Sequence, residues 1–278
     1  MFTHEDIARE VQRTVADVKS TTPLVGSITN VITIDFVANA QLAAGGSAAM
    51  GYLGEEGEAL AQAGRAFYIN MGSLLPVHEE GVIRTAAAAH AKDTPWVLDP
   101  VGIGIGTMRT ELLEALKEHK PSIIRCNASE SIALAQVWGQ DPDGISGSVK
   151  GVDSTDSVDA ARVAATSLAR CTGGAVAVSG EVDFITDGEL CALSTGGSPL
   201  MGKVTGFGCS LGGVAAVYAA AGAPFIAALA AANAYNLAAS RAETISGGPA
   251  SFKLAFIDAL YNATPEDIAS NPFTLEEV

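Results

Sequence analysis

The sequence predicts an α/β fold in one domain spanning 1–278, with a mainly parallel central sheet and helices on both faces. Three observations lead there. Short apolar runs of strand length alternate with longer runs of helical period along the chain. Apolar residues make up 48% of the 278 residues, with 30 glycines and only 6% aromatics, a composition suited to closely packed helices on a sheet. No Gly/Ser/Pro-rich linker or internal repeat divides the chain, whose length lies at the upper end of a single domain. In order, residues 4–19 read as an amphipathic helix with Ile7, Val11, Val15 and Val18 on one stripe. Residues 23–30 read as a short buried strand closing in polar residues. A helix of small residues then runs to about Ala44 and stops at Gly45-Gly46-Ser47. Strands follow at 66–70, 96–99, 122–125 and 174–179, and helices at 79–92, 108–119, 128–138 and 157–170, with a polar loop over 140–155. Residues 183–193 form a hairpin turning at Asp187-Gly188. The last hundred residues are mostly helical. Within them, 211–240 is long and apolar but broken by Gly222 and Pro224, so it reads as two buried helices and not as a membrane span.

A formal net charge of −15 argues against a nucleic-acid partner, whose phosphates it would repel. It does not argue against ATP, because a local cradle with Mg²⁺ overrides an average field. Cys126, Cys171, Cys191 and Cys209 show neither metal-ligand spacing nor a disulfide framework, and free thiols fit a reducing cytoplasm. The opening Met1–Asp6 is polar and acidic, unlike a signal peptide. His4, His78, His90 and His119 are scattered over expected helical or loop surface and form no triad or metal set.

In parallel α/β sheets ligands lie outside the carboxyl ends of the strands, so the polar residues that close strands are the ones to inspect: Asn30, Asn70, Asp99, Arg125 to Glu130, and Ser179. The stretch Thr205-Gly206-Phe207-Gly208-Cys209-Ser210-Leu211 carries the most chemistry. Two glycines flank one large residue, and a long Ala/Val/Leu helix follows. A glycine turn at a helix N-terminus presents free N–H groups and partial positive charge, a site for phosphate. Cys209 in the same field is expected to have a lowered pKa and to serve as a base; its plain alternative is a small residue packed under the helix. Asp99 is either a Mg²⁺ ligand or a turn cap. Asn127 and Glu130 have capping-box spacing, yet Glu130 and Asp99 from neighbouring strand ends could also hold Mg²⁺ through water, with Arg125 on phosphate. Ser179 closes a strand either as an ordinary turn or as a nucleotide contact. Met50 reads as core or as the wall of an apolar pocket. The glycines at 102, 104 and 106 are spaced G-x-G-x-G, and the next strand ends in Arg125. A dinucleotide fingerprint requires G-x-G-x-x-G and an acid there, so an NAD-linked oxidoreductase is a minor reading.

Taken together, the blocks Ile28-Thr-Asn30, Phe36-Val-Ala-Asn39, Asp99-Pro-Val-Gly102, Arg125-Cys-Asn127-Ala-Ser-Glu130, Gly180-Glu-Val-Asp183, Pro199-Leu-Met201, Lys203-Val-Thr-Gly206 with Gly208-Cys209, and Ala255-Phe-Ile-Asp-Ala-Leu-Tyr261 resemble the hydroxyethylthiazole kinases of thiamine salvage over nearly the whole chain. The resemblance implies a ribokinase-like fold, ATP with Mg²⁺, and a cytoplasmic homotrimer with sites between subunits. The reaction it implies is phosphorylation of the primary hydroxyl of 4-methyl-5-(2-hydroxyethyl)thiazole. It assigns Asp99 and Glu130 to the metal, and Arg125, Asn127, Ser179, Thr205 and Gly208 to ATP. Asn30, Ile32, Met50 and Gly206 fall to the thiazole, and Cys209 to catalysis. Three departures from the family pattern stand out: Phe207 replaces the threonine of Gly-Thr-Gly-Cys, Gly102-Ile-Gly-Ile-Gly106 replaces Gly-Ala-Gly-Ala-Thr, and Gly26-Ser27 replaces His-Cys. The rival readings are a kinase of another small heterocyclic alcohol on the same fold and a catalytically weak paralogue that binds thiazole or nucleotide.

Overall fold

The computed structural model of the chain describes residues 3–140 and 155–277. The polar loop expected over 140–155 lies outside these residues except at its two ends. One nine-stranded sheet organises the chain, in the order β2-β1-β3-β4-β5-β6-β7-β8-β9. Its parallel part comprises β1 (Leu24–Ile28), β2 (Ser47–Met50), β3 (Ala66–Asn70), β4 (Trp96–Asp99), β5 (Ile123–Asn127) and β6 (Ala175–Ser179). An antiparallel extension of β7 (Asp183–Thr186), β8 (Leu190–Ser194) and β9 (Phe273–Glu277) completes it. Successive strand residues point to opposite faces, and the sheet accordingly separates two cores. Tyr68 and Val97 join Ala175 and Ala177 on one face, while Phe67, Ile69, Trp96 and Leu98 join Val176 and Val178 on the other.

The first core is covered by α1 (His4–Thr21), α2 (Ile34–Ala43), α8 (Phe207–Ala219), α9 (Pro224–Glu243), α10 (Pro249–Asn262) and α11 (Pro265–Ala269). The second is covered by α3 (Gly54–Ala63), α4 (Val77–Ala91), α5 (Thr107–Leu116), α6 (Ala128–Val137) and α7 (Thr155–Thr172). Thr3 and Asp6 cap α1 reciprocally, and the predicted stripe of Ile7, Val11, Val15 and Val18 is buried. The two helices read from 211–240 are α8 and α9, and Pro224 opens the second of them. Among the described residues, no helix is long and apolar enough to cross a membrane.

Three elements depart from the sequence reading. Ser47–Met50 is a strand, although its small residues carry little strand preference; it is held by pairing to β1. Gly54–Ala63 is a helix despite its glycines, with the Glu56 carboxylate accepting from the N–H groups of Tyr52 (3.0 Å) and Leu53 (3.1 Å) at its start. Phe273–Glu277 is an edge strand because β8 offers it an open ladder. A fourth correction concerns His78. It is not on the surface but buried, with its Nδ1 accepting from the Leu75 N–H at 2.9 Å.

Phe207 opens α8 with its ring turned into the first core, where it meets Phe36 edge-on at 4.9 Å and Phe256 at 4.7 Å, with Phe252 at 5.5 Å. It anchors the helix start to α2 and α10. Phe207→Ala is therefore expected to cost about 3–5 kcal/mol of unfolding free energy, read from the midpoint shift in urea denaturation. A loss under about 1 kcal/mol would deny the anchor.

Candidate active site

The order β1-β3-β4-β5-β6 sets a row of polar residues at the carboxyl ends of adjacent parallel strands. Asn30 lies just past β1. Asn70 closes β3 and is the register partner of Asp99, which closes β4. Asn127 closes β5 opposite Ser179 at the end of β6. The N-terminus of α8 points at this row. Gly206 is its N-cap with φ +98°, and its carbonyl accepts the first helical bond, from Ser210 N at 2.8 Å. The N–H groups of Phe207, Gly208 and Cys209 precede that bond and have no partner within the helix.

Asp99 is completely buried. Its Oδ2 accepts from Tyr68 Oη at 2.8 Å and Asn70 Nδ2 at 3.1 Å, and lies 3.6 Å from Arg125 Nη1. Its Oδ1 is buried with no partner. Burial pushes this carboxyl up to about 6, against the pull of the Arg125 guanidinium. Arg125 itself is 8% exposed. Burial works against its charge, but Asp99 and Glu130 outweigh that and hold it protonated. The guanidinium donates to Ser179 Oγ and sets its two terminal nitrogens against the start of α8. A Cβ at Gly208 would stand 2.5 Å from Arg125 Nη1, so only glycine lets the two approach.

Arg125, Ser179 and Gly208 open onto a cleft of about 680 Å³, within the ordinary range of small-molecule pockets. Its wall also includes Asp183, Met201 and Asn236. Asp183 is buried, accepting from Gly180 N and Asn236 Nδ2 at 3.0 Å each. Sequence reasoning assigned neither Asp183 nor Asn236 to the site. Asp183 stood within a quoted block, but Asn236 lies mid-helix in α9 with no local signal.

Cys209 lies on the other side of the α8 start, half-buried, with Asn30 Nδ2 at 3.6 Å from its sulfur. Its pKa differs from the expected direction. Burial, reinforced by the negative charge of Asp99, pushes the thiol up, and the polar side chains of Thr33 and Asn70 nearby offset only part of that. The helix end does not prevail because the carboxylate is close and the sulfur is desolvated.

The remaining candidates lie around this centre. Asn127 and Glu130 form the capping box of α6, with Glu130 N donating to Asn127 Oδ1 and Asn127 N to Glu130 Oε2, both at 2.9 Å. The capping alternative is thus realised, while Glu130 is still close enough to act electrostatically on Asp99. Asn127 and Thr205 are exposed. Ile32 is 65% exposed, and Met50 ends β2, partly buried against the first core. The group brought together directly is Asn30, Asp99, Arg125, Ser179, Gly208 and Cys209. Tyr68 escaped sequence reasoning because an aromatic inside an apolar strand reads as core. Asn70 was visible as a strand end but carried no role.

The geometry accommodates a cation next to a phosphate. The orphaned Asp99 Oδ1 is a hard oxygen ligand awaiting a partner, and Mg²⁺ typically takes one or two carboxylates plus substrate phosphate and water. Among the described residues there is no cluster of three or more His, Cys, Asp or Glu side chains that would make an all-protein cage.

Known proteins resemble this chain in sequence and in fold. The hydroxyethylthiazole kinase of Bifidobacterium animalis subsp. lactis is 46% identical over 98% of this chain and 93% of its own length. That of Cereibacter sphaeroides is 45% identical over 88% of this chain and 90% of its own. The solved hydroxyethylthiazole kinase protein from Pyrococcus horikoshii OT3 superposes with a TM-score of 0.84 at 27% identity, covering 97% and 99% of the two chains. The pyridoxal kinase of Staphylococcus aureus, solved with ADP, shares the fold at a TM-score of 0.64 and 15% identity over 91% and 98%. The sequence model of the hydroxyethylthiazole kinase family matches residues 15–266, and the chain belongs to that family.

Proposed function

We propose that this protein transfers the γ-phosphoryl group of ATP to the primary hydroxyl of 4-methyl-5-(2-hydroxyethyl)thiazole, acting as one kinase domain. A single observation carries the reading. The N-terminus of α8 divides a cleft lined by Arg125, Ser179 and Gly208 from Asn30 and Cys209, with buried Asp99 behind the division. Phosphoryl transfer needs in-line positioning and charge neutralisation more than covalent participation by the protein.

In this mechanism the triphosphate lies in the cleft with Arg125 and Ser179 on its oxygens. The free N–H groups of Phe207, Gly208 and Cys209 face the transferring group and stabilise its charge. Mg²⁺, when bound, neutralises phosphate charge; Asp99 through Oδ1 and Glu130 through water would hold it. Asn30 and Met50 position the thiazole, with Ile32 and Gly206 at its edge. Asn127 and Thr205 serve the nucleotide from the rim. Cys209 orients the hydroxyl. Because its thiol is pushed up, it is largely protonated at neutral pH, so its contribution as a proton acceptor is small.

The family also carries the expectation of a homotrimer with sites shared between subunits. Exposed Val31 (49%) and Ile32 (65%), next to Asn30, agree with a neighbour covering that side. A cytoplasmic location agrees with four free cysteines. A kinase of another small heterocyclic alcohol is the second reading, and Phe207 bears on it. Its ring faces the core, so loss of the threonine hydroxyl alters the acceptor side less than the sequence alone suggests.

A coupled ADP-release assay over thiazole, pyrimidine and pyridine alcohols is expected to show highest kcat/KM for the hydroxyethylthiazole. Asp99→Ala should lower kcat by at least ~100-fold and Cys209→Ala by ~10-fold, and wild-type rates in both would refute the site assignment. Gly208→Ala forces the Arg125 guanidinium away, so KM for ATP should rise about tenfold or more with KM for the alcohol little changed. The raised Asp99 pKa sets a pH dependence. As pH falls through about 6 the carboxyl takes up a proton and loses its capacity for the cation. The Mg²⁺ concentration for half-maximal rate should then climb, approaching tenfold per pH unit on the acid side of about 6 and level by about pH 7.5. Mg²⁺ titrations across that range check it, and a flat response would contradict it.

A further inference from the structure

The end of β3 sits between the two halves of the site. Strand β3 is hydrogen-bonded to β1, which leads to Asn30, on one side and to β4, which ends in Asp99, on the other. Its last residue, Asn70, is 1% exposed. We propose that the Asn70 side-chain amide is a positioning residue that locks the acceptor half of the site, Asn30 and Cys209, to its cation-binding half, Asp99. This rests on the kinase reading above and names a residue that the reading itself does not require.

Both ends of the amide are engaged. Asn70 Nδ2 donates to Tyr68 Oη at 2.8 Å and to Asp99 Oδ2 at 3.1 Å. Its Oδ1 accepts from Asn30 Nδ2 at 2.9 Å and from Gly72 N at 3.0 Å. Turning the amide round would set donors against the donors of Gly72 and Asn30. Asn30 is engaged at both ends too. Its Oδ1 accepts from Ile32 N at 3.1 Å and Thr33 N at 3.2 Å, leaving Nδ2 to reach Asn70 and the Cys209 sulfur. The result is one chain of hydrogen bonds joining Cys209, Asn30, Asn70 and Asp99, with Asn30 Nδ2 donating both to the sulfur and to Asn70.

Tyr68 completes the cation-binding end. Its hydroxyl accepts from Asn70 and donates to Asp99 Oδ2. The ring fits under α8 because a Cβ at Gly212 would stand 2.6 Å from its Cε2. Oδ2 of Asp99 is thereby occupied by Tyr68, Asn70 and Arg125, which leaves the unpartnered Oδ1 as the oxygen presented to a cation. A buried asparagine with a purely structural role needs partners, but they need not come from both halves of the site. The geometry also separates the neighbours: Tyr68 touches the Asp99 end alone, and Asn30 the acceptor end alone.

The test uses Asn30→Ala, Tyr68→Phe, Asn70→Ala and, should alanine fail to fold, Asn70→Ser, each in the full chain. Three quantities are measured: KM for the thiazole alcohol, the dissociation constant of Mn²⁺ with ADP by electron paramagnetic resonance, and the iodoacetamide rate at Cys209 by peptide mass spectrometry. Loss of one buried hydrogen bond corresponds to about a fivefold change. Asn30→Ala should raise KM and slow alkylation by about fivefold or more, leaving Mn²⁺ affinity within about twofold. Tyr68→Phe should do the reverse, and the Asn70 variants should shift all three. If the Asn70 variants shift only one half of the site, or none, the proposal is overturned. Should the wild type phosphorylate no thiazole alcohol, the functional reading fails by itself. Mn²⁺ affinity and Cys209 alkylation then still decide the role of Asn70.

Discussion

A carboxylate with no exposed surface, facing a guanidinium that is almost as deeply buried, is the constraint on which the rest of this site depends. Two charges taken out of water are costly unless their geometry is good and their remaining valences are met. Here Tyr68, Asn70 and Arg125 converge on one oxygen of Asp99, and Ser179 takes a second valence of Arg125. Removing any of these would leave a buried charge short of partners. The other Asp99 oxygen has no hydrogen-bond partner within the described residues.

The helix that closes the site follows from the same constraint. Arg125 reaches the cleft only because the second residue of α8 has no side chain, and Tyr68 reaches Asp99 only because Gly212 has none. The N-terminus of α8 thus comes down onto the strand ends, bringing its free N–H groups with it. Phe207 secures it from behind, packed among Phe36, Phe252 and Phe256. The glycines bring backbone close to charge, and the ring between them fixes the helix to its neighbours. Electrostatics and packing therefore act on the same few residues from opposite sides.

Much of the candidate site was legible in the chain, because parallel strands put their last residues at one end of a sheet and polar strand ends stand out against apolar runs. Asp99, Arg125 and Ser179 could be picked on that ground, and the glycine turn before Cys209 on the ground of anion binding at helix ends. Two features were read in the opposite sense or not at all. The Cys209 thiol was expected to ionise more readily, since the local sequence contains the helix end but not the burial of the sulfur or the carboxylate, far off in the chain, that oppose it. Tyr68 looked like core, and it is core, except that its hydroxyl meets Asp99.

By itself the sequence determined what short-range periodicity and backbone chemistry control. Those features are the alternation of strands and helices, the buried stripe of α1, the hairpin at Asp187-Gly188 and the glycine-rich opening of α8. Such features depend on residues within a turn or two of each other, so they can be read from spacing. The tertiary structure alone decided the strand order that puts β3 between β1 and β4, and the edge pairings that make strands of Ser47–Met50 and Phe273–Glu277. It also decided the direction of the Cys209 shift. The contacts involved join Asn30 to Asn70 across 40 positions and Asn30 to Cys209 across 179. Pattern along the chain says nothing of partners so far apart; they meet because the sheet brings its strand ends together and α8 is folded down over them.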